Sequence, residues 1–134
     1  MARTRAGVTA ADILPVPTEE EEQIQLMRWA HLMRRNHPEL MMLHHIPNGG
    51  SRGKVEAARF KAAGVKSGVP DLCLPIPSGQ YHSLYIEMKA KDGKPEPEQL
   101  WWAEHLKANG NAHAICYGWE QAKEVLLWYL NLKQ

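Results

Sequence analysis

Cysteine is scarce in this chain, with two residues, Cys73 and Cys116, among 134. Both lie inside apolar runs and neither sits in a CxxC or Cys/His spacing, which argues against a zinc site or a disulfide framework and for buried free thiols. Long hydrophobic runs are missing too. No stretch approaches the roughly 20 apolar residues of a bilayer span. Arg3 and Arg5 are followed by Gly7-Val8-Thr9-Ala10-Ala11-Asp12 and not by the apolar core of a signal peptide, so the chain is expected to be cytoplasmic. The formal net charge is only +1, so any polyanion partner must be held by local charge and not by a uniformly basic surface. There is no Walker-type glycine loop and no Ser or Cys nucleophile paired with a base. Internal repeats and low-complexity segments are absent.

What remains is ordinary for one globular domain. The apolar share is 44% and the charged share 23%, and a chain of this length buries roughly two-thirds of its unfolded surface without covalent staples. Residues 1–17 show no sustained period and are expected to form a flexible arm ahead of a domain over residues 18–134. Thr18-Glu19-Glu20-Glu21 has the T-x-x-E form of a capping box, and Ile24, Met27 and Ala30 continue a helical stripe, predicting a helix over residues 19–36 that Pro38 ends. Residues 40–46 read as a strand closed by Pro47-Asn48-Gly49-Gly50. A helix through Val55, Ala58, Phe60 and Ala62 follows, stopped by Gly64.

Two further strands are expected over residues 71–76 and 83–91, as an antiparallel pair turning at Pro77-Ser78-Gly79. Pro95 and Pro97 then introduce a helix through Leu100, Ala103 and Leu106 to a stop at Asn109-Gly110. A compact strand over 112–117 and a last helix over 119–130 complete a mixed α/β layer structure.

The chemistry concentrates at Gly68-Val69-Pro70-Asp71, where a carboxylate opens an apolar strand. An unpartnered polar group buried there costs about 2 to 7 kcal/mol. In Tyr85-Ile86-Glu87-Met88-Lys89, alternation puts Glu87 and Lys89 on one face and Ile86 and Met88 on the other. A Glu-x-Lys alone is commonly a solvated ion pair, and Asp71 alone a turn residue. With Asp71 on the neighbouring strand, however, two carboxylates and an ammonium converge. Paired carboxylates repel unless a cation neutralises them, and such oxygen donors suit Mg²⁺ or Mn²⁺. A metal there would polarise a phosphoryl oxygen and activate water, with Lys89 orienting the attack, so phosphodiester hydrolysis is the expected reaction.

Residues 52–66 hold Arg52, Lys54, Arg59, Lys61 and Lys66 against one acid, Glu56. These side chains are the expected nucleic-acid contacts, binding phosphates without reading bases. The competing reading is a solvated helix face. His44 and His45 should point to opposite faces of their strand, which argues against a joint metal site. The five tryptophans, four of them (Trp101, Trp102, Trp119 and Trp128) in the C-terminal third, suggest a hydrophobic contact surface.

These features resemble the PD-(D/E)xK nuclease superfamily, and specifically its VRR-NUC branch of virus-type replication and repair nucleases, frequent in phage genomes. Glu20-Glu21-Glu22-Gln23-Ile24-Gln25 is similar to the branch's first-helix E-x-x-I-Q, Ile46-Pro47-Asn48-Gly49-Gly50 to its I-P-N-G-G turn, and residues 64–71 to its glycine-rich approach to the first catalytic aspartate. Residues 85–89 resemble its I-E-x-K strand and Pro97-Glu98-Gln99 its P-E-Q helix start. The resemblance implies a restriction-endonuclease-like α/β core with a mixed sheet flanked by helices. It also implies a Mg²⁺- or Mn²⁺-dependent DNA endonuclease, selective for junction or flap-like DNA in phage-type replication, recombination or repair. The residues it implies are Asp71, Glu87 and the Met88 carbonyl as metal ligands, with Glu21 as a further acid, Lys89 as catalytic and Gln99 supporting the site. Gln25 would line the same cleft and Asn48 would bind DNA. DNA is the implied partner, a homodimer the implied assembly, and a bacterial host cell the location if the chain is phage-encoded. The alternative is a non-catalytic nucleic-acid-binding module that keeps the fold. Glu21 also has a competing role as the last residue of the capping box.

Overall fold

The structure, a computed structural model, describes residues 7–48 and 53–132. Gly49, Gly50 and Arg52 of the expected turn and basic stretch lie outside the described residues. In chain order the elements are helix α1 (Ala10–Ile13), helix α2 (Glu19–Leu32), a 3-10 turn (Pro38–Met42), strand β1 (His44–His45), helix α3 (Lys54–Ala62), strands β2 (Leu72–Leu74) and β3 (Leu84–Lys89), helix α4 (Pro97–Ala108), strand β4 (Ala112–Tyr117) and helix α5 (Trp119–Leu130). The expected mixed α/β layer is present. Among the described residues no helix is long and apolar enough to cross a membrane.

The sheet runs β1-β2-β3-β4, antiparallel at the first two pairings and parallel at the last. Parallel strands need a crossover, and α4 supplies it between β3 and β4. Leu72 pairs with Ile86, which pairs with Ala114, and Leu74 pairs with Leu84, which pairs with Ala112. Side chains alternate along each strand, so these residues with Met88 and Cys116 form one apolar face. Leu26 and Ala30 of α2 and Ala122, Leu126 and Tyr129 of α5 join them in the core. Burial pushes the Cys116 thiol up to about 12, as expected of an inert core cysteine.

Three elements differ from expectation. The helix predicted over 19–36 stops at Leu32. Most of the strand predicted over 40–46 is instead the 3-10 turn Pro38–Met42, with only His44–His45 left to pair with β2. Proline occupies the first position of that turn, where its missing N–H costs nothing, and this favours the tight turn over an extended chain. In the N-terminal segment, Thr9 and Asp12 cap the one-turn helix α1, whose Asp12 carboxylate accepts from the Thr9 N–H at 2.8 Å.

A further difference concerns the phase of α2. The buried stripe passes through Leu26 and Ala30, with Met27 and Trp29 partly buried beside it, while Ile24 is 46% exposed. Counting back from Leu26 by helical turns brings the half-buried Glu22 and the exposed Glu19 to the same side of the helix. Glu22 Oε1 accepts from the Trp119 N–H at 3.1 Å and so ties α2 to the start of α5.

Candidate active site

Asp71 stands one residue before β2. The Leu72–Ile86 pairing extended by one places it opposite Glu87. Its Oδ2 accepts from the Met88 N–H at 2.8 Å, and its main-chain oxygen accepts from the Ile46 N–H at 2.7 Å and from His45 Nδ1 at 2.8 Å. These bonds fix both ends of the residue against two strands. The fully buried Pro70 before it removes backbone freedom from the approach.

Glu87 is 2% exposed and Lys89 6% exposed, both on the sheet face opposite the core leucines. Glu87 Oε2 accepts from Gln99 Nε2 at 2.8 Å. Among the described residues, Oε1 is buried with no hydrogen-bond donor on it. Burial pushes the Glu87 carboxyl up to about 8, the neighbouring Asp71 charge adds to this, and Lys89 works against both. Without a further cation, Glu87 keeps its proton at neutral pH. The Lys89 stem passes Gly93, where a Cβ would lie 3.5 Å from Lys89 Cδ, so the turn after β3 steadies the ammonium's approach.

Gln99, at the third position of α4, bridges two networks. Its Oε1 accepts from the Glu96 N–H at 2.8 Å, capping the helix, while its amide nitrogen holds Glu87. One side chain therefore caps the helix and holds Glu87 at once.

Glu21 is placed differently from the expectation. Its carboxylate accepts from the Thr18 N–H at 2.8 Å in the capping box, and this contact holds it below the usual carboxylate range at an exposed position. Glu21, Ile24 and Gln25 share the outer face of α2, and Gln25 is exposed as well. The acid of α2 whose charge acts on Glu87 is Glu19. The signal for it was the i, i+7 relation between Glu19 and Leu26, which choosing Ile24 as a stripe residue obscured. His45, bonded to the Asp71 carbonyl, was also not foreseen as a neighbour of the site.

Among the described residues no cluster of three or more His, Cys, Asp or Glu side chains is arranged to hold a metal ion. The donor set is two facing carboxylates with one unbonded buried oxygen. That set fits Mg²⁺ or Mn²⁺, which take one or two carboxylates and complete their shell with water and substrate oxygens.

The expected nucleic-acid contacts lie to one side. Lys54, Arg59 and Lys61 are exposed on α3, which buries none of its own residues, and Lys66 is exposed on the loop that follows. Asn48 donates from Nδ2 to the Val69 carbonyl at 3.3 Å, so it braces the loop leading to Asp71. A cleft of about 840 Å³ separates α3 from α4.

The sequence profile of the VRR-NUC domain matches residues 16–120. A solved structure described as a VRR_NUC domain protein is similar at a TM-score of 0.76 and 32% identity, over 90% of this chain and 94% of that one. No curated protein matches the chain. The matched span takes in the carboxylate pair, Lys89 and Gln99, and the chain belongs to the VRR-NUC domain family of nucleases.

Proposed function

We propose that this chain is a Mg²⁺- or Mn²⁺-dependent DNA endonuclease of PD-(D/E)xK type that hydrolyses phosphodiester bonds. The observation that carries the reading is the buried, unbonded Oε1 of Glu87 beside Asp71, on the same sheet face as the buried Lys89. An oxygen in that position, facing a second carboxyl, costs free energy unless a proton or a cation takes it. Asp71, Glu87 and the main-chain carbonyl of Met88 would hold the metal, with Glu19 replacing Glu21 as the further acid. Strand geometry turns the N–H and C=O of one residue to the same side, and the Met88 N–H already faces Asp71. When bound, the metal supplies Lewis-acid polarisation of the phosphoryl oxygen and a more acidic water.

The chain's own groups do the rest. Met88 N–H and Gln99 Nε2 each hold one carboxylate oxygen in place, so the remaining oxygens are oriented before substrate arrives. Lys89 presents a fixed positive charge on the face where the phosphate would lie, favouring the developing negative charge of the transition state. Lys54, Arg59, Lys61 and Lys66 would neutralise flanking phosphates, giving binding that falls steeply with salt. Selectivity for junction or flap-like DNA in phage-type replication or repair belongs to the same proposal, and a homodimer would present two sites to a symmetric junction.

The test is cleavage of labelled linear, single-stranded, flapped, nicked and four-way DNA with Mg²⁺, Mn²⁺ or EDTA. Wild type should cut only with metal, and Lys89→Met should lose at least about 100-fold in rate while keeping its fold and DNA affinity. A folded wild-type chain that cuts nothing with either metal would instead identify a binding module on a nuclease fold.

A further inference from the structure

The cleft between α3 and α4 is lined by Phe60, Lys61, Lys66, Glu98, Trp101 and Trp102 among others. Trp101 is 54% exposed, yet its indole is held. One ring face stacks on His105 with centroids 3.9 Å apart and planes 24° from parallel, and His105 Nδ1 donates to the Trp101 carbonyl at 2.8 Å. Trp102 stands perpendicular to it with centroids 5.6 Å apart and is anchored through Nε1, which donates to the Ser67 carbonyl at 3.2 Å. With imidazole stacked on one face, a residue still 54% exposed leaves much of its indole open, and Trp101 lines the cleft as a held aromatic surface.

This surface adjoins the carboxylate site. Glu98 lines the cleft and the next residue, Gln99, holds Glu87. Gly68, three residues before Asp71, lies so close to Glu98 that a Cβ there would be 2.8 Å from the Glu98 carbonyl carbon. The cleft charge favours a polyanion. Lys61 and Lys66 line it against the one acid Glu98, whose carboxylate accepts from the Ser67 hydroxyl, and Lys54 and Arg59 lie on the same helix α3.

We propose that this cleft receives an unpaired nucleobase stacked on Trp101, so that the substrate carries a single-stranded nucleotide next to the bond cut at Asp71 and Glu87. The assignment rests on the nuclease reading above and names its substrate class. A base paired within a duplex has both faces covered by its neighbours and cannot stack on an indole, whereas a flap or a splayed strand can. The basic rim then holds the phosphates on either side, and the ring selects for a base being present without selecting which one.

The test uses the full chain in EDTA, so that binding is read without cutting. Fluorescence anisotropy compares a ten-nucleotide oligothymidylate with an abasic strand of the same length, for wild type, Trp101→Ala and Trp101→Phe. Wild type should bind the thymidylate about tenfold tighter than the abasic strand. Trp101→Ala should erase that ratio while leaving abasic affinity unchanged, and Trp101→Phe should keep most of it. Lys61→Ala should weaken both ligands equally and lower the salt slope. Equal binding of the two strands by wild type, or a ratio that survives Trp101→Ala, overturns the proposal. So does a Trp101→Ala chain that falls from dimer to monomer with no change in the ratio, since the cleft would then be covered by a second copy. Base-dependent binding without any metal-dependent cleavage would sink the nuclease reading and leave the cleft assignment standing. Cleavage without base dependence would do the reverse.

Discussion

Glu87 is a carboxyl group 2% exposed, facing the carboxyl of Asp71 and held through Oε2 by Gln99. What keeps it in a single geometry is Gln99, which is in turn held by the Glu96 N–H. Gln99→Leu removes the bond to Glu87 at one end and a helix cap at the other. It should cost about 1 to 2 kcal/mol of stability and raise the Mg²⁺ concentration for half-maximal cleavage by about tenfold or more, because a mobile Glu87 is a poorer ligand. Urea denaturation and a metal titration read these separately, and a variant matching wild type in the titration would make Gln99 a helix cap alone. Much of the site was legible at this scale. Asp71, Glu87 and Lys89 share a face because strand alternation has a period of two, which a single strand displays. Glu19 was not legible, because four consecutive glutamates, Glu19 to Glu22, offer every helical phase at once. The burial of Leu26 and Ala30 selects the phase, and burial is a tertiary fact.

Among the elements, the loop from Gly64 to Asp71 does the most positioning with the least regular structure. Gly64 and Gly68 have φ of +106° and +83°, a region where L side chains are strained. They differ in what surrounds them. At Gly64 an added Cβ would meet nothing within 4 Å, whereas at Gly68 it would lie 2.6 Å from Glu98 Cβ and 2.9 Å from the Glu98 oxygen. Gly64→Ala should therefore cost about 1 kcal/mol of strain alone. Gly68→Ala should cost about 2 to 4 kcal/mol and also cut activity, since it pushes the Asp71 loop away from α4. Denaturation midpoints and cleavage rates of the two variants decide this, and equal effects would show that the loop does not depend on the Glu98 contact. The sequence announced strand β4 and helix α5 at their observed limits, because Gly118 separates two strongly patterned segments. It concealed the shortness of β1. An apolar run such as Leu40-Met41-Met42-Leu43 reads equally as strand or tight helix until Leu40 and Leu43 are seen packed beneath the sheet.

For the molecule as a whole, His113 ties stability to pH. It lies on β4 opposite Tyr85, with Glu104 and Lys107 of α4 beside it, and its Nε2 is buried without a hydrogen-bond partner among the described residues. Burial, with a smaller contribution from Lys107, brings it down from 6.5 to about 4. The folded chain therefore keeps this imidazole neutral over a range in which the unfolded chain protonates it. The stability it contributes is fully present above pH 6.5, falls as pH drops from 6.5 towards 4, and changes no further below that. Solvent screening at this half-buried position limits the loss between pH 7 and pH 5 to about 1 kcal/mol. Glu87 acts in the opposite sense, because its raised carboxyl contributes stability below pH 4.5 that is lost as pH rises to about 8. His113→Phe leaves that second slope in place and removes the first, so comparing the two chains isolates the histidine. In urea denaturation with EDTA, wild type should lose about 1 kcal/mol more than His113→Phe between pH 7 and pH 5. The variant should also be no less stable than wild type at pH 7, since an aromatic ring replaces a buried nitrogen that had no partner. Identical pH dependence in the two chains would mean that His113 is solvated in the folded state and that the acid limb of stability has its origin elsewhere.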